Sequence, residues 1–397
     1  MKISFIQPSR NNLKYLKWAY DGIRKNQGDH EVEICVADDF SNDGTWEWCQ
    51  ERMQEDSHFK AIRNEGPTRL GHTILYDRLI NEVATHDIAM IYHADMYLCP
   101  GALDAIEKYI EPRKIVSLTR IEPPLPPPGP EKILRNFGTE PEDFPEEGFL
   151  EWFEKERALL KDKTTEGIFA PWAFYREDFQ KIGGHDPLYA PQSKEDSDIF
   201  NRFMLDGVSF IQTWEGCVYH MTCRGSRYNP TITTVGKESD EWLKQNERST
   251  RNFIRKWGHF VQHDPLMKPV IAPKYNIGII LNAGRSNLLT LLEPWCDTIY
   301  IKNYNLIASE YIAKEQPNTC YDLSERIKPY ENEKNCEILL EVDGDVFMNE
   351  DFQIIQQLPR IIKQYGEPGR FQLGNMVVEV IHMNEYQNSL INLKTNG

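Results

Sequence analysis

The sequence predicts an α/β protein of two domains, each built on a largely parallel sheet, and three observations point to it. The first 120 residues alternate short apolar runs with amphipathic stretches at helical spacing, the pattern of a parallel sheet covered by helices. A new β-α-β begins near Tyr275, where NIGIILNAGRSNLLTLLEPWCDTIYIKN (276–303) reads as strand, turn, short helix and strand. At 397 residues the chain exceeds one ordinary core, and roughly 150 residues per domain gives two to three domains. With 40% hydrophobic and 11% aromatic residues there is enough apolar side chain to fill cores, so a disordered chain is excluded.

Taken in order, Lys2 to Ile6 is the first strand. Leu13, Leu16, Tyr20 and Ile23 recur at helical spacing up to the polar break Asn26-Gln27-Gly28, and Val32 to Ala37 is the second strand. A helix from about Thr45 is started by Asn42 or Asp43, and another covers about His72 to Val83. Asp87 to Tyr92 is a buried strand whose C-terminal edge carries His93-Ala94-Asp95. Ligands in open α/β sheets bind at the carboxyl ends of strands, so Pro8, Asp38, Asp39 and Asp95 are expected along one edge. The stretch IEPPLPPPGP (121–130) is expected as a stiff surface connector, neither helix nor central strand, with a substrate-contacting loop as the alternative. Phe149 to Leu160 is an aromatic-rich amphipathic helix expected to pack on the core. A helix from about Glu238 to Trp257 is expected to close the first domain, and 258–274 to form a linker, which divides the chain into 1–268 and 269–397. Further strands are expected at Glu337 to Val342 and Met376 to His382.

Composition narrows the partners. Lys and Arg total 45 against 61 Asp and Glu, a net charge of −16 that repels a phosphate backbone and an anionic membrane surface, so nucleic acid is not an expected partner. The eight cysteines include no C-x-x-C pair, which argues against a zinc knuckle or a disulfide framework and for a reducing compartment. No run of 18 apolar residues occurs, and MKISFIQPSRNN goes directly into a strand; the expectation is a cytoplasmic chain with no transmembrane segment.

Four segments carry chemistry. In EICVADDFSNDGT (33–45) two carboxylates follow a buried strand; they suit hydrogen bonding to a ribose or base edge, and equally a helix cap. In IYHADMYLCPGALDAI (91–106) a strand breaks into Asp95, which could help hold a hard divalent cation bridging a diphosphate, given a second ligand, or could cap a loop. Glu195, Asp196 and Asp198 open a helix, where acids complement the helix dipole or supply a general base. VYHMTCRGSRY (218–228) ends a strand at His220, a candidate metal ligand or structural histidine, with Arg224 and Arg227 apt for a leaving diphosphate.

In this order the segments resemble the family 2 glycosyltransferases of GT-A fold over roughly residues 1 to 230. QPSRNN (7–12) is similar to the family's first strand with its P-x-x-N turn, VADDFSNDGT to its nucleotide segment, and NEGPTRLGH (64–72) to its N-x-G stretch. HADMYLCPGAL resembles the D-x-D strand end, and FYREDFQKIGGHDPLY resembles the acceptor-side stretch leading to E-D-x-D, matched by Glu195-Asp196-Ser197-Asp198. The resemblance implies metal-assisted, inverting transfer of a sugar from a nucleotide-sugar donor, UDP-linked, to a glycan or other hydroxyl acceptor, as in glycan biosynthesis, with Mn2+ or Mg2+ as cofactor. It makes Pro8, Asp38, Asp39, Arg69 and His93 nucleotide-site residues, with Asp39 on the base, and gives the leaving diphosphate to Arg224 and Arg227. Asp95 and His220 become metal ligands, Asp196 the catalytic base with a raised pKa, and Glu195 its catalytic neighbour. Two positions depart from the family pattern: His93 replaces the first Asp of D-x-D, and His72 replaces the last Asn of the third segment. Alternatives are a retaining GT-A transferase, a non-catalytic nucleotide-sugar- or carbohydrate-binding chain, and a nucleotidyltransferase, which would want a glycine-rich basic loop that QPSRNN lacks. In the second domain, Asp343-Gly344-Asp345 at a strand end faintly echoes a GT-A half. Too little chain follows for a complete copy, so an accessory domain for acceptor binding or homo-oligomer formation is expected, with NAGRSN a plain strand-to-helix turn.

Overall fold

The computed structural model describes residues 1–222, 238–302 and 304–392, and the chain divides into two compact units. In the first unit the alternation seen in sequence becomes β1 (Lys2–Ser9), α1 (Leu13–Asn26), β2 (Glu31–Asp39), α2 (Thr45–Glu55), β3 (Phe59–Asn64), α3 (Gly71–Arg78) and β4 (Ile88–Ile91). After them come β5 (Met96–Leu98), α4 (Ala102–Tyr109), β6 (Lys114–Glu122), β7 (Ile133–Leu134), α5 (Glu146–Leu159) and β8 (Thr164–Thr165). The series ends with β9 (Trp172–Tyr175), α6 (Arg176–Lys181), α7 (Glu195–Leu205) and β10 (Ser209–His220).

The sheet runs β3-β2-β1-β4-β9-β6-β10-β5, with β7 beside β6 and β8 beside β10. Strands β3, β2, β1 and β4 are parallel neighbours, while β9 lies antiparallel between β4 and β6. Near-continuous apolar runs, such as Ile34, Val36 and Ala37 in β2, are what a sheet covered on both faces requires. Leu16, Ala19 and Ile23 of α1 and Trp48 and Cys49 of α2 pack into the same core as Ile3, Phe5 and Met90. The expectation that residues 121–130 lie outside any central strand fails at its first two positions. Ile121 and Glu122 complete β6, which sits between β9 and β10, and the chain turns into the proline run only after Glu122. Phe149 and Phe153 of α5 join Tyr97, Cys217, Tyr219 and Met221 in an aromatic cluster, as an inward-facing helix should.

The second unit contains β11 (Ile277–Asn282), α9 (Ser286–Leu292), β12 (Thr298–Ile301), α10 (Tyr304–Glu315), α11 (Leu323–Arg326), β13 (Ile327–Pro329) and β14 (Ile338–Asp343). It closes with α12 (Asn349–Tyr365), β15 (Gly369–Leu373) and β16 (Met376–Val380). Its sheet order is β13-β12-β11-β14-β16-β15, the first four parallel and β16 antiparallel to β14. This repeats the order of the first unit's opening half, in which a third, second, first and fourth strand are followed by an antiparallel one. Asp343 stands where the fourth strand ends, so the echo heard in sequence is one of topology.

The boundary departs from a single cut at 268. A long helix, α8 (Asp240–Trp257), belongs to the first unit up to Gln245 and to the second from Asn246, while residues 263–269 return to the first. The reason is visible in its side chains. Ile254 lies in the second unit's core, and Arg251 and Arg255 hydrogen-bond Glu315 at 2.8 and 2.6 Å. Nor is 258–274 a free linker: Ala272 is buried and its N–H donates to His259 at 3.3 Å. Among the described residues no helix is long and apolar enough to cross a membrane.

Candidate active site

Two turns at the carboxyl edge of the first sheet lock onto each other. The Asn11 N–H donates to Ser41 Oγ at 2.9 Å, the Asn42 N–H to Asn11 Oδ1 at 2.9 Å, and the Leu13 N–H to Asp43 Oδ2 at 3.0 Å. Asp43 Oδ1 also accepts from the N–H of Thr45 at 3.2 Å, the local turn that starts α2. Pro8, on β1, is buried beside this turn, paired in register with Ala37.

Asp38 and Asp39 end β2 and are almost fully buried. Asp38 accepts from the Ser41 N–H at 3.1 Å and lies 3.3 Å from the Arg63 guanidinium; burial, only partly offset by these partners, raises its pKa. Asp39 accepts from Asn64 Nδ2 at 2.6 Å and from the backbone N–H groups of Leu70 and Gly71 at 3.1 and 2.9 Å, with Arg69 3.8 Å away. A carboxylate has about four acceptor positions, so the oxygens of Asp39 are largely occupied in tying β2 to the loop that opens α3. Arg69 is held on the same loop by a 2.8 Å bond to Gln192.

The metal-type cluster is made by strand register. β10 runs antiparallel to β5 with His220 opposite Met96, and parallel to β6 with Tyr219 opposite Ile121. Three strand ends therefore meet. His220 Nε2 lies 3.4 Å from Asp95 Oδ1, and His220 Nδ1 lies 2.8 Å from Glu122 Oε1. His93 completes a group in which one ligand atom each from His93, Asp95 and His220 fall within 4.8 Å of one another. Burial pushes the His93 imidazole down to about 4. For His220 burial acts the same way but is outweighed by Asp95 and Glu122, which raise it to about 9. Glu122, whose burial alone would raise it, is brought down to about 2 by His220, Arg120 and Lys132. Imidazole nitrogens, which give up a proton where they carry one as they bind, and a carboxylate oxygen suit a first-row divalent ion, and the donor set fits one. His72, at the departing position, stacks on His93 with ring centroids 6.5 Å apart, and burial lowers its pKa to about 3. It is a neutral wall of the site.

The acids of α7 divide. Asp198 is fully buried and hydrogen-bonds Arg202 at 2.8 Å, while Arg202 also donates to the carbonyls of Ile182 and Gly184, a structural arrangement. Glu195 is buried with Oε2 lacking a hydrogen-bond partner among the described residues, and burial beside Asp196 raises its pKa. The Asp196 pKa is raised as well, by burial, against lowering by His185 and Arg120. Arg120 lies 3.4 Å from Glu122, so one guanidinium acts on both the metal-type cluster and Asp196. Arg224 and Arg227 lie outside the described residues.

Sequence reasoning missed Glu122, Arg120 and the His185–Asp77 pair at 2.7 Å. The signal for Glu122 was a lone acid at the end of the strand-like KIVSLTRIE, directly before the prolines.

Residues 4–183, just under half of the chain, match the model of the family described as Glycosyl transferase family 2. No curated protein matches the chain in sequence. Among solved structures, GalNAc-T7 with UDP, GalNAc and Mn2+ is similar at 15% identity and a TM-score of 0.45, over 65% of this chain and 51% of that one. The chain thus spans about half the length of that structure. The mannosyltransferase PcManGT from Pyrobaculum calidifontis, in complex with GDP-Man and Mn2+, is 19% identical with a TM-score of 0.39, covering 56% and 57%. S. aureus TarS 1-349 in complex with UDP-GlcNAc is 13% identical with a TM-score of 0.40, covering 64% and 66%. The first unit is an α/β domain, the class the sequence predicts, and residues 4–183 of it are similar to the family 2 glycosyltransferases.

Proposed function

Taking residues 4–183 as a family 2 glycosyltransferase domain, we propose that this chain moves a sugar from a nucleoside-diphosphate donor, UDP-linked, to an acceptor hydroxyl with inversion at the anomeric carbon. The observation that carries the reading is the convergence of His93, Asp95 and His220 on the carboxyl edge that also bears the Asp38 and Asp39 turns. His93, Asp95 and His220 would hold a divalent cation, Mn2+ rather than Mg2+, because two of the three donors are imidazoles. When bound, the ion offsets charge developing on the leaving diphosphate. Asp38 serves the nucleoside by fixing the 41–43 turn through its bond to the Ser41 N–H, and Asp39, whose oxygens are largely engaged, by fixing the 64–71 stretch. Pro8 and Arg69 shape the same nucleotide site, and the family resemblance assigns the diphosphate to Arg224 and Arg227.

Asp196 takes the proton of the acceptor hydroxyl while its oxygen attacks the anomeric carbon and the carbon–oxygen bond to the diphosphate breaks on the opposite face. Burial raises the basicity of the Asp196 carboxylate, which brings it closer to the working range of a general base. Glu195, beside it and also raised, adds to the negative field that keeps a proton on the pair.

The test is a screen of nucleotide sugars by thermal shift and by nucleoside-diphosphate release, with and without Mn2+. Asp196→Asn should lower transfer about 10²- to 10⁴-fold and leave the donor-induced shift in place. Transfer at the unaltered rate in that variant removes Asp196 as base; a chain that no nucleotide sugar stabilises removes the transferase reading. A product of retained configuration would replace inversion by the retaining alternative.

A further inference from the structure

We infer that Glu122 is the positioning residue for His220: it holds the imidazole so that Nε2 faces Asp95 and the cation, and cation affinity therefore depends on a side chain that never touches the ion. The inference rests on the metal site of the proposed function and extends it to a residue outside the ligand set. The parallel pairing of β6 with β10, Ile121 opposite Tyr219, brings the next residue of each strand together. Their side chains meet at 2.8 Å, Glu122 Oε1 against His220 Nδ1. An imidazole has two nitrogens, and committing Nδ1 as a donor to a carboxylate leaves Nε2 as the ligand nitrogen. That nitrogen is the one 3.4 Å from Asp95.

Glu122 is itself fixed. It is 2% exposed, which keeps it from substrate. Arg120 at 3.4 Å and Lys132 at 3.3 Å flank its carboxylate. Its carbonyl accepts from the Arg135 N–H at 2.9 Å, and Pro123 and Pro124 follow it. The proline restricts the backbone of the residue before it to extended conformations, so the proline run begins where β6 hands His220 its partner. Removing the Glu122 charge does two things at once. It frees the His220 ring to rotate, and it leaves Arg120 and Lys132 with only the more distant Glu131 to offset them beside the place a cation must enter.

The experiment is manganese binding to the full chain without donor, followed by the electron paramagnetic resonance signal of free Mn2+. Glu122→Gln is nearly isosteric and should weaken Kd about 10- to 100-fold. Glu131→Gln, which alters a neighbouring acid of the same Arg120–Lys132 cluster, should stay within about twofold. A purely structural role would lower the melting temperature of Glu122→Gln and leave the Kd of its folded fraction unchanged, and that result overturns the inference. Should the Gln variant not fold, Glu122→Asp, which keeps the charge and shortens the reach, carries the same expectation and the same refutation. If the unaltered chain takes up no manganese, the metal site of the proposed function fails, an outcome distinct from equal affinity in wild type and variant.

Discussion

Replacing Gly71 by Ala tests whether the loop that bonds Asp39 and the acids that open α7 are held by one clasp. Gly71 opens α3 at φ +72°, and its N–H donates to Asp39 at 2.9 Å. A Cβ added there would sit 2.1 Å from the Pro191 carbonyl oxygen, where real contacts essentially never fall under 3.0 Å. The Pro191 carbonyl also accepts from the Thr73 N–H at 3.4 Å, and the turn it belongs to leads through Ser193 and Lys194, both at positive φ, into Glu195 and Asp196. The left-handed conformation costs an alanine about 1–2 kcal/mol, and relieving the clash moves backbone by about 1 Å at a further ~1–3 kcal/mol. The sum, about 2–5 kcal/mol, lowers the melting temperature of a domain this size by about 5–15 °C. A displacement of that size at the acids costs up to ~100-fold in turnover. Gly28→Ala isolates the first contribution, since φ is +60° there but the nearest atom is 3.8 Å away. The assay is thermal unfolding together with nucleoside-diphosphate release. If Gly71→Ala behaves like Gly28→Ala in both, the clasp does not exist.

Two further perturbations address what holds each unit. Glu33, whose side chain is 3% exposed, is bonded by Lys60 at 2.6 Å and by Ser4 and Thr85; burial alone would raise its pKa, and these partners bring it from 4.5 to about 2. A carboxyl depressed in the folded chain contributes stability that is complete above its unfolded value and is lost as pH falls toward its folded one, about 3 kcal/mol in all. Glu33→Gln should therefore lower the urea midpoint at pH 7 and much less near pH 3; an equal difference at both pH values would contradict the assignment. In the second unit Glu293 is fully buried and meets Arg255 at 2.7 Å, Arg326 at 2.7 Å and Tyr311 at 2.8 Å. Glu293→Gln leaves two buried guanidiniums underpaired, at a cost of about 3–5 kcal/mol, and calorimetry should show one of the unfolding transitions shifted down; an unshifted thermogram would mean the cluster is solvated.

The helices and strands of the opening half were legible because their cause is local. Leu16, Ala19 and Ile23 face the core from the spacing that made α1 readable, and the Asp43 turn that starts α2 is a contact two residues long. The same holds for Asp38, Asp39 and Asp95 at strand ends, since a carboxylate after an apolar run marks where a strand leaves the sheet. The bonds of Asp39 were not legible, because its partners lie 25 to 32 residues away, between the end of β3 and the start of α3. The helix from Asp240 read as the end of the first domain, yet its partners Glu293 and Glu315 lie far downstream in the second.

By itself the sequence determined the α/β class, the motif order and the residue types of the candidate site, all written in short-range periodicity and turn chemistry. Tertiary structure decided which of them meet. His220 and Glu122 are 98 residues apart and come together only because β10 chooses β6 and β5 as neighbours, in a register set by burying Val218 and Tyr219. A slip of one residue would send every side chain of the strand to the opposite face, so the metal-type cluster is a property of strand pairing and no local motif contains it.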